Sequence, residues 1–274
     1  MRVLITGAAR GIGAALAERL HGRGHHVALA GLEPDLLAAV ADRCAAPWRQ
    51  CDVGDRAQVD AAVAALVDEL GGLDVVVANA GIAQQLPMVG GDPAVMERTV
   101  RVNVLGTYYT LRAAGAHLAH RRGYAIAIAS LAAAVHPPLM GAYSASKAAV
   151  EALGNTFRAE LAPTGARVGV AYFAELDTDM TRRGFDTAAA TALTGGGSIS
   201  PVTDLKVAID ALERGIRRRS RRIVAPRWGR AVLPVRGLAQ RVVELRVRGA
   251  VADALLLARA ESPPCTTPQP GDEP

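Results

Sequence analysis

Residues 2–13 read RVLITGAARGIG, and that stretch decides the fold. Arg2 to Thr6 is a short apolar run of the buried-strand kind, and from Ile12 to Arg23 the apolar spacing becomes helical. Between them lie Gly7, Gly11 and Gly13. Glycines there let backbone approach a pyrophosphate, while the N-terminus of the helix offers N–H groups and the positive end of its dipole. A tight turn alone could use the same glycines. Placement at a first strand-to-helix junction favours dinucleotide binding.

Outward from this loop the chain repeats the alternation. Short β-rich runs are expected at Val27–Ala30, Trp48–Asp52, Leu73–Ala78, Ala125–Ala129 and Arg167–Phe173. Helical patterns separate them at Asp35–Cys44, Arg56–Leu70, Ala94–Arg121 and Ala142–Leu161. Strands that are apolar throughout are covered on both faces, which implies an α/β fold with a doubly wound parallel sheet. Ligands bind such sheets at the carboxyl ends of the strands, where strand order reverses.

The 274 residues suit one large domain, with half the residues apolar and a fifth charged. Intrinsic disorder, collagen and disulfide-stapled miniproteins are excluded. Cys44, Cys51 and Cys265 form no C-x-x-C pair, so no metal is implied and reduced thiols are expected. No signal segment is visible and the longest uncharged stretch contains Pro137-Pro138, so a cytoplasmic protein is expected. The net charge is +5, yet Arg214 to Arg248 holds twelve arginines against Glu244, a local charge of +11.

The T-G-x-x-x-G-x-G spacing from Thr6 to Gly13 resembles the short-chain dehydrogenase/reductase family, and further motifs follow in order. Asn79-Ala80-Gly81 matches its N-A-G motif, Ser130 ends the fifth expected strand, and Tyr143-Ser-Ala-Ser-Lys147 matches its Y-x-x-x-K signature. The similarity covers Arg2 to Met180 in register. It implies a Rossmann fold and reversible hydride transfer between a nicotinamide dinucleotide and a carbonyl or secondary alcohol. The catalytic set it implies is Asn103, Ser130, Tyr143 and Lys147. The implied cofactor contacts are Gly7, Arg10, Gly11, Ile12, Gly13, Gly31, Leu32, Asp52, Val53, Asn79, Ala80, Gly81, Tyr143, Lys147 and Thr178. Asp52 would meet the adenine amino group, and Lys147 the nicotinamide ribose. Asn103 would hold a water in a proton relay.

The chemistry also follows from the residues. Tyr143 and Lys147 are four apart and share a helix face. An ammonium near a phenol favours phenolate, which would bring Tyr143 down toward working pH as a general acid–base. A strand-tip Ser130 can hydrogen-bond a substrate oxygen. Taken singly, each of these residues is more often structural; the functional case rests on their joint order.

Two departures from the family pattern matter. The second strand ends at Gly31-Leu32, where NAD users of the family place an acid and many NADP users an arginine. Arg10 sits where some NADP users have a basic residue, while Glu33 would repel a 2′-phosphate. The cofactor is therefore NAD or NADP, with a lean to NADP. After the sixth strand, Phe173-Ala174 replaces the usual Pro-Gly, although Thr178 is kept.

Leu131, Ala132, Pro138, Leu139, Met140, Phe173, Met180 and Phe185 are candidate pocket residues and suit a lipophilic alcohol or ketone. His136 is more often incidental. The resemblance implies a homodimer or homotetramer, and alanine-rich Arg112–Ala119 and Ala145–Ala152 would let helices approach. Residues 1–225 are expected to form the domain, with a substrate loop near 177–200 whose Gly195-Gly-Gly197 is mobile. Residues 226–260 form a basic, partly helical extension and 261–274 a disordered tail. In the extension, Val235, Leu238, Ala239, Val242 and Leu245 form a helical stripe that Arg246 interrupts. Packing of this stripe on the domain or a second subunit is favoured over contact with a membrane surface. No motif for specific nucleic-acid binding is present. The alternatives to an oxidoreductase are a catalytically silent dinucleotide-binding regulator and a membrane-surface protein using the arginine-rich region.

Overall fold

The computed structural model describes residues 1–181, 187–196, 198, 200–261, 265–267 and 269. Its sheet runs β1 (Arg2–Thr6), β2 (His26–Gly31), β3 (Trp48–Gln50), β4 (Val75–Ala78), β5 (Tyr124–Ile128), β6 (Arg167–Phe173) and β7 (Arg222–Ala225). All neighbours pair in parallel, in the spatial order β3-β2-β1-β4-β5-β6-β7. The order reverses between β1 and β4, so their carboxyl ends open a crevice.

Period-two alternation between two apolar layers explains why the central stretches of the inner strands are apolar, while edge strand β3 carries the exposed Arg49 and Gln50. On β1 Leu4 points into one apolar layer, while Val3 and Ile5 point into the other; on β4 Val76 and Val75 divide the same way. The first layer is closed by α3 (Arg56–Glu69), α5 (Gly106–Gly115) and α6 (Gly141–Leu161), through residues such as Leu66, Leu111 and Val150. The second is closed by α1 (Gly11–His21), α2 (Pro34–Cys44) and α8 (Leu205–Arg218), through Leu16, Leu37 and Leu212. Each such leucine is fully enclosed and contributes roughly 1.5–3 kcal/mol.

The single long helix expected over Ala94–Arg121 is divided. α4 (Pro93–Thr99) passes through a π-helical turn at Val100–Leu105 into α5. Apolar periodicity does not register one extra residue in a turn, and such turns are frequent at functional sites. Asn103 lies in this one.

The carboxy-terminal third is built onto the domain. α7 (Ala188–Thr194) lies within the expected substrate loop and ends at Gly195, in the left-handed region; Gly197 lies outside the described residues. After β7 come the short α9 (Gly229–Val232), then α10 (Arg236–Val247) and α11 (Val251–Ala260). Leu139, Ala189, Leu193, Val247, Ala254 and Ala258 make a small separate core, so α11 fastens the extension to the substrate loop. No helix among the described residues is long and apolar enough to cross a membrane.

Candidate active site

The loop after β1 is shaped by close backbone contact. Gly7 has φ +64°, and a Cβ there would lie 2.6 Å from the Ala80 Cα. At Gly13 a Cβ would lie 2.3 Å from the Gly7 carbonyl oxygen, so neither position tolerates a side chain. Asn79 joins the two strands at the crevice: its Nδ2 donates to the carbonyl oxygens of Thr6 and Gly7, both at 3.0 Å. Its backbone N–H donates to Thr6 Oγ1 at 3.1 Å.

The start of α1, like those of α2 and α6, has no side-chain cap, in contrast to several other helices. α3, α4 and α8 begin with Asp55, Asp92 and Asp204, whose carboxylates accept first-turn N–H groups. At α1 the preceding residue is Arg10, and no side-chain oxygen caps the turn. Gly11, at φ +55°, has open space where a Cβ would stand. These first-turn groups face a cleft of about 660 Å³. The donor set fits the pyrophosphate of a dinucleotide.

The proposed catalytic side chains meet on the far wall of this cleft. Ser130 follows β5; its Oγ accepts from the Ala132 N–H at 3.1 Å and donates to the Phe173 carbonyl at 3.2 Å. Tyr143 and Lys147 rise one turn apart on α6, with Nζ 5.5 Å from the ring centroid. Lys147 is almost fully buried and donates to the Ile128 carbonyl at 2.9 Å. A Cβ on Gly81 would lie 3.3 Å from that ammonium, so the glycine of the N-A-G motif makes room for it.

The electrostatics correct one expectation. Burial pushes the Tyr143 phenol above its ordinary value, and a hydrogen bond with Ser130 works against that rise. The same burial pulls the Lys147 ammonium down to about 8. Desolvation therefore sets the direction of the phenol's shift, upward and not toward phenolate.

Asn103 does not line the cleft. Fully buried, it accepts from the Ile82 N–H at 2.8 Å and donates to the Ile82 carbonyl and Ser146 Oγ, each at 2.9 Å. Ser146 Oγ in turn donates to the Tyr143 carbonyl at 2.7 Å. The side chain therefore ties the segment after the N-A-G motif to the helix carrying Tyr143.

Of the expected cofactor residues, Gly7, Arg10, Gly11, Ile12, Asn79, Ala80, Gly81, Tyr143, Lys147 and Thr178 line the cleft. Gly13 and Gly31 pack backbone beneath it. Leu32 and Val53 are also outside its lining; Val53 is buried, in the apolar layer closed by α3 and α5. Asp52, also beyond the lining, accepts from the Gly54 N–H at 2.8 Å and pairs with Arg101 at 3.4 Å. Arg10 is held by Glu33 through both ends of its fork, with Nε to Oε2 at 2.8 Å and Nη2 to Oε1.

Of the expected pocket residues, Leu131, Ala132, Met140, Phe173 and Met180 line the cleft. Pro138 is a correction: Pro137 takes the lining position. Leu139 instead packs into the small core with α7 and α11. Phe185 lies outside the described residues. The His136 N–H and carbonyl are both bound by Gln240 of α10, at 2.7 and 3.3 Å.

Several lining residues escaped the sequence. Trp228, Val235, Ala239 and Val243 form a wall from the extension, and Glu175 and Asp179 add carboxylates. Within the expected tail, Thr266 is buried against Ala83: its Oγ1 accepts from the Ala83 N–H at 2.9 Å and its N–H donates to the Ala83 carbonyl at 3.1 Å. Thr266 and Thr267 thereby enter the cleft wall. Nothing in the local sequence signals this, because the partner is 183 residues away.

Comparison with known proteins agrees with this architecture. The family model described as short chain dehydrogenase matches residues 1–189. L-2,3-butanediol dehydrogenase of Corynebacterium glutamicum is 32% identical over 197 residues, covering 65% of this chain and 76% of that one. A short chain dehydrogenase of Burkholderia cenocepacia, crystallised with NADP, is 27% identical with a TM-score of 0.74, covering 90% and 96% of the two chains. A relative from Burkholderia phymatum, crystallised with NAD, shares the fold at 24% identity and a TM-score of 0.76, covering 89% and 94%. Against the much longer glycine betaine reductase ATRR of Emericella nidulans, 37% identical over 183 residues, the match spans 65% of this chain and only 14% of that protein.

Proposed function

Because the chain belongs to the short chain dehydrogenase family, an oxidoreductase family served by nicotinamide dinucleotides, we propose that it interconverts a lipophilic ketone and its secondary alcohol. One observation carries this: Ser130, Tyr143 and Lys147 converge on the same cleft as the uncapped start of α1 and Asn79–Gly81. The dinucleotide, when bound, supplies or takes the hydride. Tyr143 gives or removes the proton on the substrate oxygen, and Ser130 orients that oxygen. Lys147 holds positive charge beside the phenol and the ribose, and Asn103 keeps the helix of Tyr143 in place. Leu131, Met140, Phe173 and Trp228 give the apolar walls that favour a lipophilic substrate.

NADP is the cofactor that Arg10 suits, and binding its 2′-phosphate requires Arg10 to exchange Glu33 for phosphate. A homodimer or homotetramer through α5 and α6 is supported by exposed Leu105 in the π-turn before α5, Tyr108 on α5, and Ala145 and Ala152 on α6. The test is nicotinamide absorbance against a panel of lipophilic ketones and alcohols. Tyr143→Phe is expected to cut kcat by about 10²–10⁴ while dinucleotide binding, read by thermal stabilisation, persists. Full activity in that variant would remove Tyr143 from the chemistry. Dinucleotide binding without any turnover would favour the silent regulator.

A further inference from the structure

The arginine-rich segment is split by the fold. Arg217, Arg218, Arg221 and Arg222 lie around the amino end of β7, opposite the cleft. Arg227 to Arg248 lie beyond its carboxyl end, on the cleft side. Here the apolar stripe does not pack on the domain. Val235, Leu238, Val242 and Leu245 are 49%, 65%, 57% and 71% exposed. At about 100° per residue Leu238, Val242 and Leu245 share an arc of roughly 60° on α10, with Val235 just before its first turn. Arg246 falls just outside one edge, and Arg241 and Arg248 outside the other, all three exposed. Arg246 therefore borders the stripe and does not interrupt it. The opposite side of the helix is anchored by Val247, buried, and by Arg236, which pairs with Glu151 at 3.0 Å.

From this we infer that the outer face of α10 docks on an anionic membrane surface, with the cleft opening beside the contact. An apolar centre bordered by arginines is the arrangement of an interfacial helix: aliphatic side chains enter the acyl boundary and guanidinium groups stay among lipid phosphates. A second copy of the chain is the poorer occupant. A two-fold contact through this face would bring the same arginine-flanked patch against itself, with Glu244 the single acid between Arg227 and Arg248. A nucleic acid would engage the arginines yet leave the aliphatic arc in water. Val235, Leu238 and Val242 belong both to the exposed arc and to the cleft wall. A lipophilic substrate dissolved in the leaflet would thus meet the cleft directly, a consequence that rests on the function proposed above, whereas the docking itself does not.

The test is flotation of the full chain with phosphatidylcholine vesicles that contain or lack phosphatidylglycerol, with and without high salt. The protein is expected to float with the phosphatidylglycerol vesicles and to be released by salt. Arg241→Gln, Arg246→Gln and Arg248→Gln should each lower partitioning about five-fold, the equivalent of ~1 kcal/mol per surface arginine. Leu245→Glu, at a fully outward position, should abolish flotation with an unchanged melting temperature. Wild-type protein that stays behind, or Leu245→Glu protein that floats equally well, overturns the inference. So does a dimer that Leu245→Glu dissociates in the absence of vesicle binding, which would give the face to a second copy. Binding to duplex DNA without flotation overturns it in favour of nucleic acid. Flotation holds or fails independently of any turnover assay.

Discussion

Glu33→Gln separates the two nicotinamide cofactors by a single charge. Glu33 and Arg10 form a two-bond fork, each side chain about a fifth exposed at 22%. Arg10 belongs to the loop after β1, at the reversal point and beside the uncapped start of α1, and Glu33 to the neighbouring loop after β2. Glutamine keeps the shape and one acceptor for Arg10 Nε, so the fold should lose no more than about 1 kcal/mol. For NADPH the gain has two parts: Arg10 no longer has to leave a carboxylate, and the phosphate no longer faces a like charge. Screened through a partly exposed site, one like charge beside the phosphate is worth about 1–2 kcal/mol, or roughly 5- to 30-fold in Kd. NADH carries no 2′-phosphate and should weaken by about two- to ten-fold through the lost carboxylate acceptor. Calorimetric titration of wild type and variant with each cofactor measures both changes. Arg10→Met should act in the opposite sense, weakening NADPH more than NADH. Equal shifts for the two cofactors, or none, would refute the reasoning that this pair reads the 2′ position.

Burial disfavours the Lys147 ammonium, so it is charged below about 8 and neutral above. If that charge assists turnover, kcat/KM for carbonyl reduction should fall as pH rises through that value. Lys147→Arg, which keeps its charge, should remove the fall even if the rate is lower, and a pH–rate profile of each enzyme decides it. Asn103→Ala leaves both backbone groups of Ile82 without their side-chain partner and removes one donor from Ser146 Oγ. It should cost about 3 kcal/mol, or roughly 6–12 °C in Tm by calorimetry; a loss under about 1 kcal/mol would contradict this role. Thr266→Val removes the acceptor of the buried Ala83 N–H. It should raise KM several-fold with kcat retained and cost about 1–2 kcal/mol. Unchanged KM in steady-state kinetics would show that the Thr266 contact does not shape the substrate site.

The sequence by itself determined whatever is carried by local pattern. Uninterrupted apolar runs separated by helical spacing specify buried parallel strands, because burial on two faces leaves no polar position. The glycines after Thr6 could be recognised because few other residues allow such a backbone, and Tyr143 and Lys147 because a four-residue step is one helical turn. Only the tertiary structure decided what each side chain meets. Glu33 takes Arg10 across 23 residues, Ile82 takes Asn103 across 21 through a π-turn that periodicity does not reveal, and Thr266 reaches Ala83 from the far end of the chain. The stripe on α10 was legible as a stripe, but its exposure was not, since amphipathic spacing states that a face is apolar and not what lies against it. Spacing along a chain fixes local conformation; the partners of a returning segment depend on where the packed layers leave room for it.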